Sequence, residues 1–393
     1  MVRKGAIFLI SAVLAAAALA HAGHAPIAAA KPTYAADAAR AAPFELFRGS
    51  RIIVEGTING RATPMILDSG AGMTVVDSAY AERIGLKGGS ALSVRGAAGN
   101  VPGKIAGGVT LTAGGLTLRD LNVLIIDLAP VARAIGREMP VILGRDAFKA
   151  GLVTIDFPKR TIAFAPRTGF TPPAGAARLA LGDDAGLPSV TLAVAGGAPI
   201  EATLDLGNGG TLILAKNYWK DRPELANLRH AETQSGGVGG IKLARKVTLP
   251  RVDFAGMRLA NVPAVLNEDA QSLPTSGGNL GIEMLKSFVV TIDDSGGAMY
   301  LAPGDGPPRF ARERAGVRTE FAGDRLKVAY VSPDGPAAAA GLKAGDEIVA
   351  IDGRRIGKEY YSHAEWVRGD AGRAVALERA DGSTVTVTLA DYF

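Results

Sequence analysis

The 393-residue chain has no cysteine, which excludes disulfide staples, thiolate nucleophiles and cysteine-bound metals. Histidine is nearly as scarce: His21 and His24 lie in the Ala-rich first 43 residues, one on either side of Ala22, and His230 and His363 stand far apart. No metal site or histidine-based triad is expected from so few. Aromatic residues make up 6% of the chain and no basic stripe interleaves them, so the footprint of a nucleic-acid surface is missing. Long apolar runs are also missing, except for Gly5–Ala20, which falls short of the roughly 20 residues a comfortable transmembrane helix needs. Without cross-links, stability must come from burial, and a chain of this length can bury roughly 75% of its unfolded surface.

That one apolar run has a context. Met1-Val2-Arg3-Lys4 is a basic start, and Ala20-His21-Ala22 is an Ala-x-Ala cleavage pattern, so residues 1–22 read as a secretory signal peptide. Export across the inner membrane is expected, to the periplasm or beyond, with no stable membrane span once the signal is cut. An uncleaved anchor is the alternative. When Arg3 and Lys4 leave, the formal charge of +5 falls to +3, too little to argue for a polyanionic partner. Residues 23–43 read as a flexible leader; a pro-segment that fills a cleft until removed is the other reading.

The stretch that organises the rest is Met65-Ile66-Leu67-Asp68-Ser69-Gly70-Ala71, an apolar strand running into an acidic turn. Glycine permits the sharp turn and serine can hydrogen-bond locally, so one carboxylate is held at a fixed point. The pattern recurs in Ala202-Thr203-Leu204-Asp205-Leu206-Gly207-Asn208. Asp205 follows Asp68 by 137 residues, and the same interval separates Gly281 from Gly144, Asp293 from Asp156 and Pro303 from Pro166. One register therefore relates two halves.

Asp68-Ser69-Gly70-Ala71 followed by Ile142-Leu143-Gly144-Arg145 resembles the retropepsin pattern, and its duplication is similar to the pepsin arrangement of two β lobes with one aspartate each. The resemblance covers roughly residues 44–304. It implies a mainly β fold of two homologous β-barrel lobes, over 44–168 and 188–304, joined by a Pro/Gly-rich linker at 169–187. It also implies that Asp68 and Asp205 are the catalytic pair, carried on loops of Ser69, Gly70 and Ala71 and of Leu206, Gly207 and Asn208. The Gly-rich hairpins with Gly96, Gly99 and Gly103 and with Gly236 and Gly240 would be flaps that close over substrate, with Gly99 matched to Gly236 and Gly103 to Gly240 in the 137 register. A solvent-exposed hairpin is the other reading of the same composition.

Two carboxylates brought this close share a proton, and the ionised member can then activate a water against a peptide carbonyl. That chemistry needs no cofactor and no metal. One residue departs from the pattern: Leu206 stands where the family has a hydroxyl that helps lock the two loops together, and leucine has neither donor nor acceptor. The loss of one such bond costs on the order of 1 kcal/mol, and Asn208 is placed to compensate.

After a second linker at 305–315, residues 316–393 resemble a bacterial PDZ domain, most clearly in Gly341-Leu342-Lys343-Ala344-Gly345-Asp346-Glu347-Ile348. The resemblance implies an α+β unit that adds a protein C-terminal tail as an extra strand. The loop at Gly323 would hold its carboxylate, and Leu326 and Val328 would line the pocket. The departure here is Asp324, which would repel a carboxylate if it pointed inward. The function implied is an exported aspartic endopeptidase acting on polypeptides. The alternative is a non-catalytic protein of the same fold that holds extended chains without cutting them.

Overall fold

The computed structural model describes residues 30–35, 41–270, 277–304, 306–357, 360 and 366–393. The expected signal peptide, most of the leader, His21, His24 and His363 lie outside them. Among the described residues no helix is long and apolar enough to cross a membrane.

The fold is mainly β, with two lobes built alike. In the first, strand Met65–Leu67 runs parallel to Val141–Leu143, which is antiparallel to Val75–Val76 on its other side. In the second, Ala202–Asp205 runs parallel to Gly278–Gly281, which in turn flanks Leu212–Leu214. All of these strands are buried on both faces, which explains why they read as continuous apolar runs rather than alternating ones. Each aspartate thus leaves the end of a central strand, the most constrained place the sheet offers.

A six-stranded sheet joins the lobes. At its centre Val153–Asp156 pairs antiparallel with Val289–Ile292, and Thr154 lies opposite Thr291. These threonines are 137 residues apart, each the repeat counterpart of the other, so the pseudo-twofold axis passes between them. Arg145 crosses the same boundary and grips Asp294 with Nε and Nη2, at 2.7 and 2.8 Å, both side chains being almost wholly buried.

Two expectations need adjusting. Within the stretch read as a flexible leader, Lys31–Tyr34 adds a strand to Leu116–Arg119, and Ala42–Pro43 pairs with Thr161–Ile162. The 137 register also does not hold through the flaps. The first hairpin closes at Gly96 and Gly99, the second at Gly237 and Gly240, so Gly99 corresponds to Gly240 and not to Gly236. The local interval is 141 residues, because the second lobe has two short helices, Lys216–Trp219 and Pro223–Ala226, where the first has only Ser78–Arg83. The excess is given back before Gly278, where the original register resumes.

The C-terminal unit is a five-strand path, Val317–Phe321, Leu326–Val331, Glu347–Ile351, Ala374–Arg379 and Thr384–Thr388, with its own core around Leu326, Val328, Ile348 and Val387. It rests on the second lobe. The Tyr330 hydroxyl and Glu232 meet at 2.9 Å, Ser332 donates to the Glu232 carbonyl, and Lys246 pairs with Glu313 at 2.9 Å. Tyr392 and Phe393 cover Ala231 on the flap strand of that lobe.

Candidate active site

Asp68 and Asp205 are both fully buried, and the loops that carry them interlock. A Cβ added to Gly70 would lie 2.6 Å from Cγ of Asp205, and one added to Gly207 would collide with the carboxylate of Asp68. Each acid therefore packs on the glycine of the opposite lobe, in the space a side chain would take. Gly144 and Gly281 are required for a related reason: their α-carbons pass directly beneath the backbone at Met73 and Gly210, leaving no room for a Cβ. This explains why an apolar strand ending in glycine follows each aspartate.

The two carboxylates differ in what holds them. Asp68 accepts one hydrogen bond, from the Gly70 N–H to Oδ1 at 2.8 Å, while its Oδ2 is buried and receives no donor among the described residues. Burial pushes the Asp68 carboxyl well above the usual carboxylate range. The negative charge of Asp205 and the closeness of its carboxyl push the same way, against weaker opposition from Gly70 and Arg51. An unbonded oxygen beside a second carboxyl is where a shared proton belongs.

Asp205 is better supplied. Oδ1 accepts from the Asn208 N–H at 3.0 Å, and Oδ2 accepts from Nδ2 of Asn279 at 2.7 Å. The chain continues, because Asn279 Oδ1 accepts from Asn208 Nδ2 at 2.7 Å, and Asn208 Oδ1 from the Gly210 N–H at 2.9 Å. The repeat counterparts of Asn208 and Asn279 are Ala71 and Ile142, both buried among apolar side chains. Donors aimed at a carboxylate favour its ionised form, so the two lobes divide the work: one stabilises charge, the other a proton.

The departure at Leu206 fits this division. Ser69 Oγ donates to the Leu204 carbonyl at 2.7 Å and accepts from the Leu206 N–H at 3.1 Å, so one hydroxyl bridges the lobes. The reciprocal bond is replaced by burial, for Leu206 joins Leu67, Leu143 and Leu204 in the main core. Asn208 does not stand in for the missing hydroxyl, since its amide is spent on Asn279.

Arg51 and Asn279 carry no signal in the sequence beyond being polar residues in apolar strands. The Arg51 guanidinium is buried against Gly209 and donates to the Ser50 carbonyl at 2.7 Å. Burial lowers it to about 10, opposed by the charges of Asp205 and Asp68 and reinforced by Arg48 and Arg368. It is the nearby cation that both carboxylates feel.

The flaps meet tip to tip. The Ala98 N–H donates to the Val238 carbonyl at 3.0 Å, and Val238 packs in one cluster with Ala71, Val94 and Ile142. Gly96, Gly99 and Gly240 lie at the closing turns, and Gly236 stands one position before Gly237. Gly103, in contrast, lies well down its strand, packed against Val94 and Ile126.

Residues 54–147 match the family model described as aspartyl protease, and residues 327–378 match the one described as PDZ domain. The first lobe is an aspartyl protease domain. The C-terminal unit is a PDZ domain. No curated protein matches the chain.

Within the PDZ domain the peptide site expected from the sequence is not where the fold leaves room. Leu326 and Val328 are core residues, 0% and 1% exposed. Their strand is hydrogen-bonded on both sides, to Val317–Phe321 and to Glu347–Ile348, so it offers no edge to add to. Gly323 sits in a turn with φ +82°, and Asp324 is engaged by Arg325 at 2.8 and 3.0 Å on the surface. The sheet path ends at Thr384–Thr388 on one side, and on the side of this strand its edge is Val317–Phe321. The main-chain N–H groups of Ala315 and Gly316 just before it are already taken by the Glu313 carboxylate, at 2.8 and 2.7 Å.

Proposed function

We propose that this protein hydrolyses peptide bonds through the Asp68 and Asp205 pair, acting on polypeptides outside the cytoplasm. The observation that carries the reading is the crossed packing of each acid on the glycine of the other lobe, which brings two buried carboxylates together across one axis. A polypeptide substrate follows from the protease and PDZ domains, and export from the basic, apolar and Ala-x-Ala succession at residues 1–22.

The unequal supply of donors gives each acid a role. Asp205, bonded by Asn279 and Asn208, is the ionised base that takes a proton from a water molecule as that water attacks the peptide carbonyl. Asp68, kept protonated by burial and by its neighbour, donates to the oxygen on which negative charge develops. The proton taken by Asp205 then goes to the leaving amine as the tetrahedral centre collapses, and Asp68 recovers its own. Arg51 limits the cost of keeping one negative charge in this buried place.

The test is hydrolysis of an unfolded protein by the parent and by Asp68→Asn and Asp205→Asn. Each variant is expected to lose about 10³-fold or more in rate, in keeping with general acid-base groups. Unchanged cleavage by either removes the dyad. A statine-type inhibitor separates the non-catalytic alternative, because a protein that only holds peptides has no reason to favour a tetrahedral centre.

A further inference from the structure

Asp146 of the first lobe and Glu283 of the second are repeat counterparts, 137 residues apart, each two positions past the glycine that passes beneath its aspartate loop. Their side chains take different directions. Asp146 pins its loop from within the lobe, where Oδ2 accepts the Thr74 N–H at 2.5 Å. Glu283, one methylene longer, turns outward: its buried carboxylate accepts from Lys286 Nζ at 2.7 Å and from Arg368 Nη1, in the PDZ domain, at 3.5 Å. The position that closes the first lobe on itself ties the second to a neighbouring domain.

What Glu283 supports is the loop of Asp205. Its own N–H donates to the Gly210 carbonyl at 3.0 Å, and the Ile282 N–H donates to the Asn208 carbonyl at 2.9 Å. From there the Gly210 N–H reaches Asn208 Oδ1, and the Asn208 N–H reaches Asp205 Oδ1. Ile282–Met284 is a single 3-10 turn, too short to hold itself by its own hydrogen bonds, so the anchoring of its side chains decides where its N–H groups point. Lys286 extends the support to the first lobe, where it donates to the Gly49 carbonyl at 3.0 Å, two residues before Arg51. Arg51, Gly209, Gly210, Glu283 and Arg368 all face one cavity of about 240 Å³ between the lobes and the PDZ domain.

Arg368 is firmly mounted. It follows Trp366, a PDZ core residue, and Val367, whose carbonyl accepts from the Arg314 N–H at 2.7 Å. The domain that carries it is fastened to the second lobe through Glu232 and Lys246. A carboxylate as buried as Glu283 stays in place only while its cations do. Taking Arg368 away lets it swing toward Lys286 alone, and the turn beneath Gly210 moves with it.

We infer that Glu283 is a positioning residue for Asp205 and that Arg368 sets it from the PDZ domain, so that the base side of the active site is complete only while that domain is docked. The inference rests on the dyad reading above. The PDZ domain then works as a switch on the protease: docked it steadies the Asp205 loop, and lifted it releases it. Asp68 does not depend on it in this way, since Asp146 pins the first loop from within its own lobe.

The experiment compares the full-length parent with Arg368→Gln, Arg368→Lys, Glu283→Gln and the double variant R368Q/E283Q on one unstructured peptide. R368Q and E283Q are each expected to lose about tenfold or more in kcat with KM little changed, because the base is misplaced. R368K, which keeps the charge, should recover part of that loss. The double variant should be no slower than the worse single one, since both act through one contact. An unchanged kcat in R368Q overturns the inference and leaves the dyad standing. Equal losses in R368Q and R368K, with raised KM and lowered melting temperature, also overturn it, since they mean a contact that serves stability alone. Arg368 is partly exposed, so R368Q and R368K decide even where E283Q does not fold. If the parent cuts nothing, the dyad reading fails and hydrogen exchange at residues 206–211 decides the rest. Exchange about tenfold or more faster in R368Q than in the parent upholds the tie from the PDZ domain to the Asp205 loop, and equal exchange overturns it.

Discussion

Thr154 and Thr291 lie 137 residues apart in the chain, yet their hydroxyl oxygens are 3.0 Å apart. A residue that bonds to its own repeat counterpart marks the axis about which the lobes are related. Replacing either threonine by valine leaves the other hydroxyl without its partner at a packed boundary, and is expected to cost about 1 kcal/mol. The double variant should cost less than the two single losses together, because it removes both polar groups. Denaturant titration of the three variants measures this, and strict additivity would mean that the contact carries no coupling.

Gly70→Ala and Gly207→Ala test the crossed packing directly. A methyl at Gly70 would lie 2.6 Å from Cγ of Asp205, so the carboxylate must move. A displacement of that kind costs on the order of 100-fold in rate. Peptidase assays alongside thermal melting should show activity lost with the fold retained; full activity in both variants would contradict the geometry.

Asn279→Leu places in the second lobe the kind of side chain that Ile142 supplies in the first. Asp205 then loses the donor to its Oδ2. The rate constant kcat is expected to fall by roughly 10- to 100-fold with KM little changed. The acidic limb of the pH–rate profile should move to higher pH, since the charged form of the base has lost a supporting bond. An unmoved limb would assign the base role elsewhere.

The pH dependence of stability carries its own sign. The Asp68 carboxyl is raised in the folded protein, so the folded state binds its proton more tightly than the unfolded state does. Stability should therefore decline as pH climbs from the ordinary carboxylate range, about 3.9, through the raised value, and level off above it. Asp68→Asn removes the group that titrates. Its curve should be flatter over that interval, and the variant more stable than the parent at neutral pH. Identical slopes in parent and variant would show that Asp68 is not the group responsible.

Asp294→Ala breaks the buried two-bond grip of Arg145 across the lobe boundary and leaves its charge only the more exposed Asp183, at 3.7 Å, as a carboxylate partner. A loss of about 2–3 kcal/mol is expected, below the roughly 3–5 kcal/mol of a wholly uncompensated buried charge because Asp183 remains. Adding Arg145→Met to it should recover part of that loss, since it removes the buried cation whose main partner is gone. Equilibrium unfolding of the single and double variants checks both signs.

Much of the site was legible because its signals are local. An acidic turn after an apolar strand, an apolar strand ending in glycine, and the recurrence of both at a fixed interval need no knowledge of distant contacts. The interval misled at the flaps, where an added helix shifts Gly99 onto Gly240 before the register is restored. Arg51 and Asn279 passed unnoticed for a different reason. A polar residue in an apolar strand looks the same whether it faces a core or a carboxylate.

By itself, the sequence determined that there are two β lobes, that each presents one aspartate on a glycine turn, and that a PDZ domain follows, because strand, turn and repeat are written in neighbouring residues. Only the tertiary structure decided which acid is stabilised as an ion and which strand of the PDZ domain is a free edge. Those are questions of what stands opposite a side chain across a boundary between lobes or domains, and the partners there come from positions that no local pattern links.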